Sequence, residues 1–302
     1  MGSKRCGRVS IIGRGNVGKS TLFNSLLGEK FSIVTKWGGA TRQPMTGILN
    51  IDWGEVVLVD TPTYIYPRNK LEKIMLSFIK KSLLSSHLAL FVVDATFPPS
   101  PLELEICSLL RKSKIPSFLL INKMDMVKDF VLEQRMEEYI NAFRKTFFYE
   151  VMPISAQLGD NLPLLLKRIK AYLPEKEPIF RNPPRPPEEL LLKETIREEV
   201  TNYYHDKRPQ SMEIIIKEFR RPEKKGKTYI LAFLYIEDER LFPKIMGYKG
   251  KLLNEAKHLA RLRCERFLKE PVYLDLILRE KKRWRNDLEA LKEFGYVKKG
   301  IV

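Results

Sequence analysis

The chain has 302 residues, 44% of them hydrophobic, and a formal net charge of +17 from 54 Lys and Arg against 37 Asp and Glu. That length predicts about two domains, and the apolar content excludes wholesale disorder. The positive excess favours a polyanionic partner, either nucleic acid or an anionic membrane surface. The three cysteines (Cys6, Cys107, Cys264) are too scattered for a disulfide framework or a metal site, which points to a reducing, cytoplasmic setting. His87, His205 and His258 form no ligand pattern either. No apolar run approaches the roughly 18 residues of a membrane span.

In chain order, the first half alternates buried strands with amphipathic helices. RVSIIG, EVVLVD, LALFVVD, SFLLINK and EVMPIS read as strands. STLFNSLLG, KLEKIMLSFIKKSLL, PLELEICSLLRKS, QRMEEYINAFRKTF and NLPLLLKRIKAYL read as the helices between them. Such alternation predicts a mostly parallel sheet with helices on both faces. PEKEPIFRNPPRPPEE follows, too rich in proline for helix or sheet, so a stiff linker is expected at 175–188 between domains spanning 1–174 and 189–302. Beyond it, LLLKETIREEVTNYY is helical, SMEIIIKEF and TYILAFLYIE are strands, and RRPEKKGK joins them. RLFPKIM is a short helix, GYKG a turn, and a long helix follows it with apolar residues at helical spacing. PVYLDLILRE alternates as a strand, and RNDLEALKEFG closes as a helix. The order α-β-β-α-turn-α-β-α predicts an α+β domain.

GRGNVGKS matches G-x-x-x-x-G-K-[ST] directly after a strand and at the opening of a helix. Gly13, Arg14, Gly15, Asn16, Val17, Gly18, Lys19 and Ser20, with Thr21 behind them, form a candidate nucleotide-binding loop. Glycines let backbone N–H groups wrap the phosphates, Lys19 neutralises the β- and γ-phosphates, and the Ser20 hydroxyl binds Mg²⁺. Asp60, Thr61 and Pro62 end the next strand, where a carboxylate can hold the metal. Asn122, Lys123 and Asp125 of NKMD end another strand. Asp125 can accept two hydrogen bonds from guanine, a pair that adenine does not offer. The Lys123 stem can cover the base plane. Ser155, Ala156 and Gln157 end a further strand, where the Ala156 N–H can meet guanine O6. Each fragment alone is weak; all of them in this order at strand ends form a guanine-nucleotide site.

With NVGKSTLFNSLLG, TRQPMTGI, DTP, NKMD, PISA, MGYKG, PVYLDL and LKEFGYV, nearly the whole chain resembles the Era family of bacterial ribosome-assembly GTPases. The resemblance implies an α/β P-loop GTPase domain followed by an α+β type II KH domain. It implies GTP and GDP as ligands with Mg²⁺ held by Ser20, Thr41 and Asp60. It gives Thr41 the switch I role and Asn16 the placing of a potassium ion, so Lys19, Thr41 and Asn16 are the expected catalytic residues. The water-orienting glutamine of Ras-like proteins is absent; Tyr64 stands there. The family pattern D-T-P-G reads D-T-P-Thr63 here, and Ala40 replaces a threonine. A β-branched residue in place of that glycine predicts slow hydrolysis.

The resemblance further makes GYKG the G-x-x-G loop of a KH fold, which clamps about four nucleotides of single strand. Lys244, Ile245, Met246, Gly247, Tyr248, Lys249, Gly250 and Lys251 are then the expected RNA-binding residues. Ile245, Met246, Leu252 and Leu253 divide between base groove and core, and Tyr248 either stacks on a base or faces solvent. From Leu241 to Arg285 there are 13 Lys and Arg against 5 Asp and Glu. The implied partners are the 3′ end of small-subunit (16S) ribosomal RNA and the 30S subunit. The protein is expected to be a cytoplasmic monomer, with the positive charge also compatible with the inner face of the cell membrane. The aromatics are not arranged as in an RRM. A nucleotide-gated RNA binder with little hydrolysis is the alternative.

Overall fold

The computed structural model describes residues 4–28, 41–178, 187–204, 211–223 and 226–297. Contacts divide the chain into two compact units, one formed essentially by the chain up to Pro186 and the other by Pro187–Val302. Ala40, His205 and the linker residues 179–186 lie outside the described residues, as do two residues (224–225) of the RRPEKKGK turn.

The first unit is built on a six-stranded sheet in the order β2-β3-β1-β4-β5-β6. Its strands are β1 (Arg5–Ile12), β2 (Met45–Ile51), β3 (Gly54–Asp60), β4 (Leu88–Asp94), β5 (Ser117–Asn122) and β6 (Glu150–Ile154). All neighbours run parallel except β2, which forms an antiparallel hairpin with β3. Five strands match the expected ones; β2 is an addition. β4 and β5 are buried along their whole length, which is why they read as unbroken apolar runs. The helices are α1 (Lys19–Leu27), α2 (Lys70–Leu84), α3 (Pro101–Ser113), α4 (Asp129–Ala142) and α5 (Leu162–Lys170). After α5 the chain pairs back onto β1: Cys6 N donates to Pro174 O, and Arg5 bridges Glu175. Because β1 lies between β3 and β4, the turns that follow β1 and β3 leave the sheet side by side, where ligands of such sheets bind.

The second unit is α6 (Glu188–Tyr203), β7 (Glu213–Arg220), β8 (Thr228–Ile236), α7 (Phe242–Met246), α8 (Lys251–Leu268), β9 (Val272–Glu280) and α9 (Leu288–Glu293). Its sheet is β7-β8-β9, with β7 antiparallel and β9 parallel to β8. The core joins Leu192, Ile196 and Val200 of α6 to Ile230, Ala232 and Leu234 of β8 and to Ala256, Ala260 and Cys264 of α8. Tyr229 of β8 and Tyr273 of β9 sit opposite each other and stack at 5.9 Å. The three cysteines are free and buried. Burial pushes the Cys107 and Cys264 thiols up to about 12, which leaves them inert.

Candidate guanine-nucleotide and RNA sites

The chain leaves β1, turns through Gly13–Gly18 and enters α1. Gly18 has φ 96°, and a Cβ there would fall 2.2 Å from Asn122 Nδ2. Only glycine fits that turn. No side chain caps α1, so its first N–H groups remain available to an anion. Lys19 is buried, and its Nζ donates to Arg14 O at 2.8 Å. Burial lowers its pKa to about 8; Asp60 opposes the shift and Arg14 adds to it.

Three oxygens converge beside Lys19. Ser20 Oγ donates to Asp60 Oδ2 at 2.6 Å, Thr41 Oγ1 donates to the same oxygen at 3.3 Å, and the two hydroxyls are 3.1 Å apart. One carboxylate and two hydroxyls form a hard, oxygen-only donor set. It fits Mg²⁺, which takes its remaining ligands from phosphate and water. The sequence expectation named these three residues, and the fold brings them together.

Thr61 Oγ1 donates to Ile11 O at 2.7 Å and ties the end of β3 to β1. Pro62 and Thr63 follow, both buried. Thr63 is not among the described residues with positive φ, so threonine sits there without backbone strain. Tyr64 N donates to Gly13 O at 3.2 Å, and its ring lies in the core cluster with Ile12 and Phe91. Tyr64 therefore anchors this segment and does not face the phosphate site.

The base-side residues gather around Asn122. Its Nδ2 donates to Val17 O at 2.7 Å, which ties this loop to the phosphate loop. Its Oδ1 accepts the Ala156 N–H at 2.9 Å. The expected donor to guanine O6 is thus held here by buried Asn122. Ser155 is fully buried and its Oγ accepts from Leu158 N, while Gln157 is exposed. Asp125 is exposed in a single 3₁₀ turn, Met124–Met126. Lys123 adopts φ 67°, and its Nζ donates to Asp94 Oδ2 at 2.6 Å.

Sequence reasoning missed two residues of this site. Asp94 ends β4 and holds Lys123; its position at a strand end next to β1 was a readable signal. Glu103 is fully buried, and its Oε1 accepts Arg14 Nε at 2.9 Å. Its Oε2 accepts the Ser100 N–H and hydroxyl at 2.8 and 3.0 Å. The S-x-x-E spacing of a capping box announced that second role, though not the first. Arg14 also lies 5.3 Å from the Phe97 ring centroid, so its side chain is pinned within the protein. Asn16 adopts φ 64° in the loop, and Thr21 is half-buried in α1.

In the second unit, GYKG joins α7 to α8. Gly247 has φ 68° and Gly250 φ 77°, and a Cβ on Gly247 would fall 2.5 Å from Leu252 Cγ. Lys249 also adopts a left-handed conformation, φ 49°. Tyr248 is 80% exposed, and Lys249 Nζ lies 5.4 Å from its ring centroid. No side chain caps α8, whose first turn opens behind Gly250. Lys244, Lys249 and Lys251 are exposed around it. Ile245 is a correction: its side chain is fully buried in the core and its carbonyl accepts Tyr204 Oη at 2.9 Å, so it supports the turn from within. Leu253 is buried as well, while Met246 and Leu252 are half-buried against the core.

A family model described as 50S ribosome-binding GTPase matches residues 8–123, and one for the elongation factor Tu GTP-binding domain matches residues 77–175. The GTPase Era of Syntrophus aciditrophicus is 35% identical over 294 residues, covering 97% of this chain and 95% of that protein. The GTPase Era of Geobacter metallireducens is 34% identical, covering 97% and 98%. Among solved structures, a tyrosine-to-alanine variant of Aquifex aeolicus Era bound to GDP·AlF4⁻ matches with a TM-score of 0.90 at 33% identity, covering 97% of this chain and 99% of that one. An Era in complex with MgGDPNP and nucleotides 1506–1542 of 16S ribosomal RNA matches with a TM-score of 0.91, also at 33% identity and with the same coverage.

Proposed function

The chain belongs to the Era family of GTPases, and on that premise we propose that it binds the 3′ end of 16S ribosomal RNA through its GYKG turn and assists 30S subunit assembly under the control of GTP. The observation that carries the nucleotide half is the meeting of Ser20, Thr41 and Asp60 within 3.3 Å, beside buried Lys19. Thr41 lies between the other two in sequence, and its hydroxyl beside theirs supports reading it as the switch residue that senses the γ-phosphate.

In this reading Lys19 and the N–H groups of the phosphate loop hold the β- and γ-phosphates. Mg²⁺, held by Ser20, Thr41 and Asp60, supplies neutralisation of the phosphate charge. Asp125 reads guanine and the Lys123 stem, held by Asp94, covers its face. The Ala156 N–H, bonded here to Asn122 Oδ1, is in this reading the donor that guanine O6 meets. Asn16 places a potassium ion; equal turnover in sodium and potassium would count against that role. The GYKG turn supplies backbone N–H groups and lysines to an RNA strand. The protein acts as a cytoplasmic monomer, and its positive charge allows contact with an anionic membrane surface. No helix among the described residues is long and apolar enough to cross a membrane.

Thr63 favours a second reading, a nucleotide-gated RNA binder with weak hydrolysis. Its side chain is buried and the next residue, Tyr64, is locked in the core. Single-turnover GTP hydrolysis with and without a 16S 3′-end RNA separates the two. The first reading predicts RNA-stimulated turnover in the native protein. The second predicts negligible turnover until Thr63→Gly restores it.

A further inference from the structure

A cavity of about 680 Å³ opens beside the GYKG turn, walled by Tyr203, Tyr248, Asn254, Glu255, His258 and Leu259. It is a wide, open depression, so a group seated there keeps one side to solvent. The α8 residues in this wall recur at helical three- and four-residue spacing, so they share one face of the helix. That face is not the core face, which carries Leu253, Ala256, Ala260 and Cys264. Nor is it the flank toward the sheet edge, where Lys257 pairs with Asp275 of β9 at 3.2 Å. The cavity therefore lies on the α6 side of the turn, apart from the α8–β9 side.

Its chemistry is mixed in a particular way. Tyr203 donates its hydroxyl to Glu255, and its ring meets the buried Tyr204 ring edge-on at 5.0 Å. One wall is thus a fixed aromatic plane. Tyr248 supplies a second, exposed ring, and Leu259, 41% exposed, an aliphatic surface. Glu255 is an acceptor-only group that repels an anion and welcomes an N–H donor, while Asn254 can both donate and accept. Lys249 and Lys251 also line the cavity and bring positive charge to it. Apolar planes, a carboxylate acceptor and flanking lysines match a base within the cavity and its phosphates at the lysines.

We infer that this cavity seats one unstacked nucleobase bearing an exocyclic amine, from a nucleotide next to the stretch held by the GYKG turn. The inference rests on the reading of that turn as an RNA clamp. Adenine offers its amine to Glu255 while its face stacks on tyrosine; uracil has no such amine.

The test is calorimetry of the full chain with three single-stranded RNAs: a tetramer that fills the clamp, the same tetramer with two adenosines added at each end, and the same with two uridines at each end. The adenosine-extended strand should bind about tenfold more tightly than the tetramer, the scale of one stacked base. The uridine-extended strand should gain distinctly less. Leu259→Asp and, independently, His258→Glu should abolish the adenosine gain and leave tetramer affinity unchanged. Equal gains from adenosine and uridine, or a gain that survives both substitutions, would overturn the inference. Gly250→Asp separates the two levels: it should weaken the tetramer itself. Tetramer binding that is indifferent to Gly250→Asp would overturn the clamp and this cavity's role with it.

Discussion

Burial lowers the Lys19 pKa to about 8 from its ordinary 10.5, so in mildly alkaline buffer its amine is divided between charged and neutral forms. A nucleotide needs the ammonium form. Affinity for GDP should therefore fall as pH rises from 7 to 8.5, by about fourfold, and calorimetry at the two values checks it. A flat profile would mean that the Lys19 amine is not held near pH 8 in the nucleotide-binding protein. The same shift acts on folding with the opposite slope. Between pH 8 and 10.5 the native state binds fewer protons than the unfolded chain, so this group adds stability as pH rises through that window and opposes folding below it. Glu103 offers a second test at this scale. Removing it leaves the Arg14 charge without its partner and α3 without its cap. Glu103→Ala should lower stability by about 3 kcal/mol, visible in thermal unfolding, and should weaken GDP binding. Glu103→Gln, which keeps an acceptor for Ser100, should lose less.

Elements show why some of this was legible in the sequence and some was not. β4 and β5 announced themselves because both faces are covered, and the glycine octet because a phosphate loop is local in sequence. β2 gave no such signal: it is an edge strand that alternates poorly, and its pairing comes from β3. Ile245 was misread as an RNA contact because a single chain position does not reveal which neighbour takes a side chain. Trp284 is the clearest case. It lies in the charged run KKRWRND and is fully buried, its Nε1 bonded to Ser211 O at 2.9 Å and its ring against Phe294 and Tyr296. Contacts from segments on both sides of it in sequence bury it. Trp284→Ala should cost the second unit about 3–5 kcal/mol, measurable by denaturant unfolding. The α7–turn–α8 element makes its own prediction. Gly247→Ala forces a Cβ against Leu252 in a left-handed backbone, so it should weaken RNA binding and leave GDP affinity as it was.

Across the whole molecule, a guanine-nucleotide site and the proposed RNA-binding turn share one basic chain, and the net charge of +17 favours a polyanion throughout. Charge alone would bind any RNA, and that component should weaken steeply with salt. On the proposed reading the GYKG turn adds a contribution that Gly250 controls. The most direct measurement is the affinity of Mg²⁺·GDPNP-loaded protein for a 16S 3′-end single strand at physiological salt, native chain against Gly250→Asp, with GDPNP affinity measured on the same samples. The account predicts that the substitution lowers RNA affinity at least tenfold and leaves GDPNP affinity unchanged. Equal RNA affinity in the two proteins would contradict it.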